Sequence, residues 1–337
     1  MQPVAIPIGV LGAGSFGTCL ALLCAREHDV ALWARNPEIA DAINREHRNP
    51  QYLSDVALPP QVRATADLSE ALADQELVIC AVPSHGVRDV MGRAARFLSE
   101  EAIVVSTVKG IEVGTWMLMH QVLEDVLGVG HQPRMVFLSG PSFAQEVAER
   151  RPTAVTLACA VESYAISVQE SISTPWFRCY THTDVVGTEV AGALKNVIAI
   201  AVGICDGLDL GQNARAALMT RGLRETSRLA VQLGADPMTA LGLAGVGDLI
   251  LTCTGDLSRN RRVGLELARG RELEEIVSGM KQVAEGVRTT RAACALAELH
   301  GVEMPICQGI RMLLDGELSP KDCVDYLMTR QLRNETE

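Results

Sequence analysis

Aromatic residues are scarce: Phe, Trp and Tyr together make up 4% of the 337-residue chain. Packing therefore falls to Ala, Val, Leu and Ile, which suits helices and buried parallel strands. Net positive charge is missing too. A formal charge of −11 makes general binding to nucleic acid or an anionic membrane a poor fit. An anionic ligand would need a local cluster of cations and backbone amides. The ten cysteines contain neither a CxxC pair nor zinc-like Cys/His spacing. Cys24, Cys80, Cys159 and Cys205 sit in apolar runs and read as small buried hydrophobes, which suits a reducing cytoplasm better than a disulfide framework. Residues 1–25 carry no side-chain charge. That start lacks a basic region, however, and Pro3, Pro7, Gly9, Gly12, Gly14 and Gly17 interrupt it. No run reads as a membrane span, and no repeat or low-complexity tract is visible. A soluble, cytoplasmic protein is expected.

What is present is apolar bulk. Hydrophobic residues reach 48% against 21% charged, enough to build the two domains that this length suits. Ile6–Leu11 is a short apolar run that stops at Gly12-Ala13-Gly14-Ser15-Phe16-Gly17. A helical stretch, Thr18–Glu27, and a second apolar run, Val30–Ala34, follow. Leu77–Val82, Ile103–Val108, Met135–Leu138 and Ala154–Ala160 read as further buried strands, with helical patterns at Val87–Leu98 and Trp116–Leu127. Strands alternating with helices predict an α/β, doubly wound parallel sheet. Beyond about Val185–Gly187 strand signals become rare. Val186–Cys205, Ala214–Leu233, Arg259–Arg269, Val287–Leu299 and Ile306–Asp315 read as helices. The division expected is a dinucleotide-binding domain over 1–186 and an all-helical domain over 187–337.

Gly12, Gly14 and Gly17 follow a strand and open a helix, the context a dinucleotide site requires. Gly12 permits the tight turn, Gly14 lets backbone approach a pyrophosphate, and Gly17 lets helix pack on strand. A turn serving geometry alone is the alternative. At the end of the second strand an acidic residue would select NAD. Arg35 stands there instead, able to pair with the 2′-phosphate of NADP or merely to cover the adenine or sit in solvent, and Asp29 lies at the wrong end of the strand.

Between Val190 and Cys205 the polar exceptions are Lys195 and Asn196. A lysine in so apolar a helix either snorkels to solvent or is buried with partners, and burial makes it a proton donor usable near neutrality. Lys109 ends the Ile103–Val108 run, where open α/β sheets bind ligands, and either faces a ligand or is simply solvated. The turn Ser139-Gly140-Pro141-Ser142-Phe143-Ala144 brings a hydroxyl and close backbone to the same rim. Asp248, in a glycine-rich apolar segment, either orients an ammonium or caps a helix. Ser258 is a good N-cap, and Arg259 and Asn260 in the next turn make either an anion site or a solvated basic turn.

The blocks Gly12–Thr18 (GAGSFGT), Ser139–Glu146 (SGPSFAQE), Gly192–Ala199 (GALKNVIA) and Gly242–Asn260 (GLAGVGDLILTCTGDLSRN) resemble, in order, the bacterial soluble NAD(P)-dependent glycerol-3-phosphate dehydrogenases. The resemblance spans nearly the whole chain. It implies a Rossmann domain followed by a helical domain, and interconversion of dihydroxyacetone phosphate with sn-glycerol 3-phosphate for phospholipid synthesis. It makes Lys195 the catalytic acid/base, and the mechanism that follows has Asp248 and Asn196 hold its ammonium in position. It places substrate on Lys109, Gly140, Ser142, Lys195, Asp248, Ser258, Arg259 and Asn260. Cofactor, NADP preferred or NAD, falls on the glycine turn with Ser15 and Phe16, on Arg35, Lys109 and Ala144, and on Arg259, Val283 and Glu285. No metal is required, and a homodimer is expected.

Overall fold

The structure, a computed structural model, describes residues 5–280, 284–332 and 334–335. Eight strands form one sheet: β1 (Pro7–Leu11), β2 (Asp29–Trp33), β3 (Val62–Thr65), β4 (Leu77–Cys80), β5 (Ile103–Ser106), β6 (Met135–Ser139), β7 (Thr153–Ala158) and β8 (Phe177–His182). Helices α1 (Ser15–Cys24), α2 (Pro37–Glu46), α3 (Leu68–Leu72), α4 (Val87–Ala94), α5 (Met119–Leu127), α6 (Ala144–Ala148) and α7 (Glu162–Ile172) connect them. The strand order is β3-β2-β1-β4-β5-β6-β7-β8. The chain leaves β1 in one direction and returns to its other side at β4, so a crevice opens above the carboxyl ends of these two strands.

The parallel sheet predicted from the sequence is correct for β1–β6 and incomplete beyond. β7 pairs antiparallel with β6, and β8 runs parallel to β7. The edge strands β3 and β8 escape a search for apolar runs because their outer positions are polar, as in Val62-Arg63-Ala64-Thr65 and Phe177-Arg178-Cys179-Tyr180. Two helix starts around the sheet also differ. The first helix begins at Ser15, directly on the glycine turn, rather than at Thr18. The fifth begins at Met119 rather than Trp116, whose φ of 61° is left-handed.

After β8 the described chain is helical: α8 (Val185–Gly207), α9 (Gly211–Gln232), α10 (Asp248–Thr254), α11 (Arg259–Ala268), α12 (Leu273–Ser278), α13 (Glu285–Leu299), α14 (Pro305–Leu314) and α15 (Pro320–Met328). Asp184 caps α8, accepting from Gly187 N at 2.8 Å. By length and composition alone α8 is long and apolar enough to cross a bilayer, which the sequence reading did not single out. Yet 89% of its apolar window is buried within the protein, where α9, α10, α11, α13 and α14 pack around it. Val190, Leu194, Val197, Ile198, Ile200 and Val202 are fully buried along it, and each such side chain contributes roughly 1.5–3 kcal/mol. A helix held this tightly is a rigid mount for what it carries. Gly203 and Gly264 bring α11 against α8: a Cβ at either would stand 2.0 Å from a carbonyl of the other helix. That crossing fixes the start of α11 relative to Lys195.

Candidate active site

The carboxyl ends of β1, β2, β4, β5 and β6 lead to the glycine turn, Arg35, Ser84, Lys109 and Gly140, all on one rim. α8 and the starts of α10, α11 and α13 face that rim.

In the glycine turn Gly12 has φ +114°, and a Cβ at Gly17 would lie 1.8 Å from Gly12 O. No side chain fits at either. A Cβ at Gly14 would meet nothing within 4 Å. α1 starts there without a side-chain cap or an acidic residue in its first turn, so its positive end faces open space. This cradle fits the pyrophosphate of a dinucleotide. Arg35 is exposed just past the carboxyl end of β2, and its positive charge joins that of Arg288 in acting on His85.

Lys195 does not snorkel. It is 8% exposed, and Nζ donates to Asp248 Oδ1 at 2.5 Å and Thr252 Oγ1 at 2.9 Å. Lys109 Nζ donates to the other oxygen of Asp248 at 2.7 Å and to Gly140 O at 3.0 Å. One carboxylate at the start of α10 thus holds an ammonium from each domain. Burial lowers the Lys195 pKa to about 8, with Lys109 adding to the effect and Asp248 opposing it. Burial would raise the Asp248 pKa, but Lys109 and Lys195 outweigh it and hold the carboxyl below its ordinary value. Two ammoniums on one carboxylate leave the cluster net positive, which favours an anionic ligand.

Asn196 does not hold the Lys195 ammonium. Neighbouring residues of an α-helix point about 100° apart, and Asn196 instead donates to Lys109 O at 3.2 Å and accepts from Asn260 Nδ2 at 2.8 Å. Thr252 takes the place assigned to it, four residues after Asp248 and on the same face of α10. Asn260 Oδ1 accepts from Gly286 N at 2.9 Å, so the starts of α11 and α13, the middle of α8 and the end of β5 are tied through two side-chain amides.

Ser258 caps α11, accepting from Arg261 N at 3.3 Å. Arg259 opens the helix, no acidic residue occupies its first turn, and among the described residues no hydrogen bond or ion pair engages Arg259. Its side chain is open to the cleft. Even so, burial lowers its pKa, ahead of the opposing attraction of Glu285 and Tyr52. Ser142 Oγ donates to Gly140 O at 3.0 Å. Glu285 accepts from Ser84 N at 3.1 Å and, more closely, from Ser84 Oγ, bridging the two domains. Ser15, Phe16 and Ala144 lie on the sheet side, at the starts of α1 and α6. Val283 lies outside the described residues.

Residues 7–165 match the N-terminal, and residues 184–325 the C-terminal, family model of NAD-dependent glycerol-3-phosphate dehydrogenase. The chain belongs to this family. It is 50% identical to glycerol-3-phosphate dehydrogenase [NAD(P)+] of Myxococcus xanthus, over 97% of this chain and 98% of that one. The corresponding protein of Nitratidesulfovibrio vulgaris, strain Hildenborough, is also 50% identical, over 97% and 99%. The crystal structure of glycerol-3-phosphate dehydrogenase from Coxiella burnetii superposes with a TM-score of 0.93 at 39% identity, covering 97% of this chain and 100% of that one.

Within this family fold, three residues of the cleft escaped the sequence reading. Thr252 had a usable signal, its i,i+4 spacing from Asp248. Ser84 and the buried Asn49 had none, because their partners, Glu285 and Ala13, are 201 and 36 residues away.

Proposed function

We propose that this chain is an NAD(P)-dependent sn-glycerol-3-phosphate dehydrogenase that reduces dihydroxyacetone phosphate in the cytoplasm, supplying glycerophospholipid synthesis. The observation that carries the reading is the buried Lys195 ammonium, fixed by Asp248 and Thr252 and facing a rim that also carries Lys109. Burying an ammonium costs stability that its partners only offset, and a buried titratable group with a perturbed proton affinity at a cleft marks a functional site. The family relationship and the relatives' names support the same substrate.

The division of labour proposed follows the chain, with residues 1–186 as the dinucleotide-binding domain and 187–337 as the substrate-binding and catalytic domain, each lending residues to the other's ligand. Gly12, Gly14, Ser15, Phe16, Gly17, Arg35, Lys109, Ala144, Arg259, Val283 and Glu285 would hold the dinucleotide, with the exposed Arg35 favouring the 2′-phosphate of NADP. When bound, the reduced nicotinamide supplies a hydride to the carbonyl carbon. Lys195 then donates its Nζ proton to the carbonyl oxygen as that oxygen gains charge. Asp248 and Thr252 keep Nζ from turning away, and Lys109 adds a second positive charge beside the oxygen. Arg259, Asn260 and the α11 amides after Ser258 bind the phosphate, converting remote binding energy into orientation of the carbonyl. Gly140 and Ser142 close the sheet side. The ten free cysteines, nine of them buried, support a reducing compartment.

The test is oxidation of NADPH with dihydroxyacetone phosphate, repeated with NADH, with unphosphorylated dihydroxyacetone and with 2-keto acids. Turnover confined to the phosphorylated ketone is expected. Preference for a 2-keto acid would overturn the assignment. Sedimentation of the purified enzyme tests the homodimer.

A further inference from the structure

Asn49 has no exposed surface, yet its side chain is fully hydrogen-bonded. Nδ2 donates to Ala13 O and to Thr18 Oγ1, both at 2.9 Å. Oδ1 accepts from Gln51 N at 3.0 Å and Tyr52 N at 3.1 Å. Two donors and two acceptor sites are thus all used, and only one orientation of the amide satisfies them. The two Nδ2 bonds are not local. They join the segment after α2 to the middle of the glycine turn and to the first turn of α1. That segment bends sharply, with His47 and Leu53 at φ 50° and 53°, and delivers Tyr52 to a half-buried position near Arg259.

We propose that Asn49 is a positioning residue for the dinucleotide: it presets the Gly12–Gly17 turn from below and hangs Tyr52 over the same cleft. The inference rests on the reading that this turn holds the pyrophosphate. The turn's glycines make it permissive, since Gly14 has open space around it and a backbone any residue can adopt. Something outside the turn must therefore select one conformation. The backbone carbonyl of Ala13, between two glycines, is the point that Asn49 grips. A preset turn loses less conformational freedom on binding, so the effect appears in cofactor affinity and not in the chemical step.

The experiment measures the Kd of NADPH by calorimetry, with kcat and both KM values, for Asn49→Ala, Thr18→Val and Gly14→Val. Asn49→Ala should raise the Kd and KM for NADPH about tenfold or more, leaving kcat at saturating NADPH and the KM for dihydroxyacetone phosphate within about threefold. Thr18→Val keeps the shape and the Ala13 bond, and should move Kd the same way by less. It decides the matter if Asn49→Ala does not fold. A purely structural role would lower Tm and the fraction of active enzyme with Kd unchanged. Folded Asn49 and Thr18 variants with wild-type Kd, while Gly14→Val weakens binding, overturn the inference and leave the turn's role standing. Wild-type Kd in all three overturns both.

Discussion

Lys195 Nζ stands 2.5 Å from Asp248 Oδ1, and the second oxygen of that carboxylate takes Lys109 from the other domain at 2.7 Å. The shared carboxylate therefore sets both the aim of Lys195 and its proton affinity. Burial pulls the Lys195 pKa down to about 8, and Asp248 keeps it from falling further.

The pH dependence follows with a definite sign. Reduction needs the ammonium, so kcat in that direction should fall as pH rises through about 8. Oxidation of glycerol 3-phosphate needs the free amine and should rise over the same range. In Asp248→Asn the supporting attraction is gone while burial and Lys109 remain, so the reductive limb should move to lower pH. Profiles of kcat against pH check this, and a limb that stays put would remove Asp248 from the account.

Lys195→Ala should leave NADPH affinity near normal and lower kcat at least about a hundredfold, the usual scale for a lost general acid. The two are separated by calorimetry and steady-state rates. A variant turning over at near wild-type rate would end the assignment of Lys195.

Arg35→Asp should weaken NADPH while sparing or improving NADH, because a carboxylate replaces the partner of the 2′-phosphate and accepts from the ribose hydroxyl of NAD. The measurement is kcat/KM with each cofactor. Equal losses would mean that Arg35 does not read that phosphate.

The central elements were legible because their signals are local. β1, the glycine turn, β2 and the apolar α8 announce themselves within a dozen residues. Lys195 stood out because it breaks an apolar run, and Asp248 because a carboxylate sits among glycines. What the sequence hid is non-local. The antiparallel turn of β7 against β6 depends on where the chain re-enters the sheet, not on the composition of Thr153–Ala158. The exchange of Asn196 for Thr252 as partner of Lys195 depends on helix phase between α8 and α10. Buried Glu189 on α8, which accepts from His120 N at 2.8 Å, gave no signal because its partner is on α5.

Glu225 on α9 gives a stability prediction. Its buried carboxylate accepts from Ile306 N at 2.7 Å and Cys307 N at 3.3 Å, at the start of α14. Burial raises its pKa from 4.5 to about 7 against the pull of those amides. The folded state therefore binds more protons than the unfolded one across that window. The group's contribution is full below 4.5 and is lost as pH rises through about 7. Glu225→Gln, neutral throughout, should gain stability relative to wild type between about pH 5.5 and about pH 8. Urea unfolding at the two pH values measures the difference. A difference independent of pH would show that Glu225 does not titrate there.

Arg259 gives the sharpest test of where the substrate phosphate sits. It opens α11 beside the Ser258 cap, with no acidic residue in that turn to balance it. A cation at the positive end of a helix is unfavourable unless an anion binds there. If the phosphate is that anion, Arg259→Ala loses a charge-assisted pair in a partly enclosed cleft. Such a loss costs about 2–5 kcal/mol, or roughly thirty- to several-thousandfold in kcat/KM for dihydroxyacetone phosphate. Free phosphite added with an unphosphorylated triose should partly restore reduction by the wild type, because the anion subsite is then filled separately. The variant should show no such rescue. Arg259 is also proposed to hold the cofactor, so NADPH affinity is measured alongside and its change subtracted. A fall of less than about threefold in kcat/KM, under about 1 kcal/mol, would place the phosphate elsewhere in the cleft.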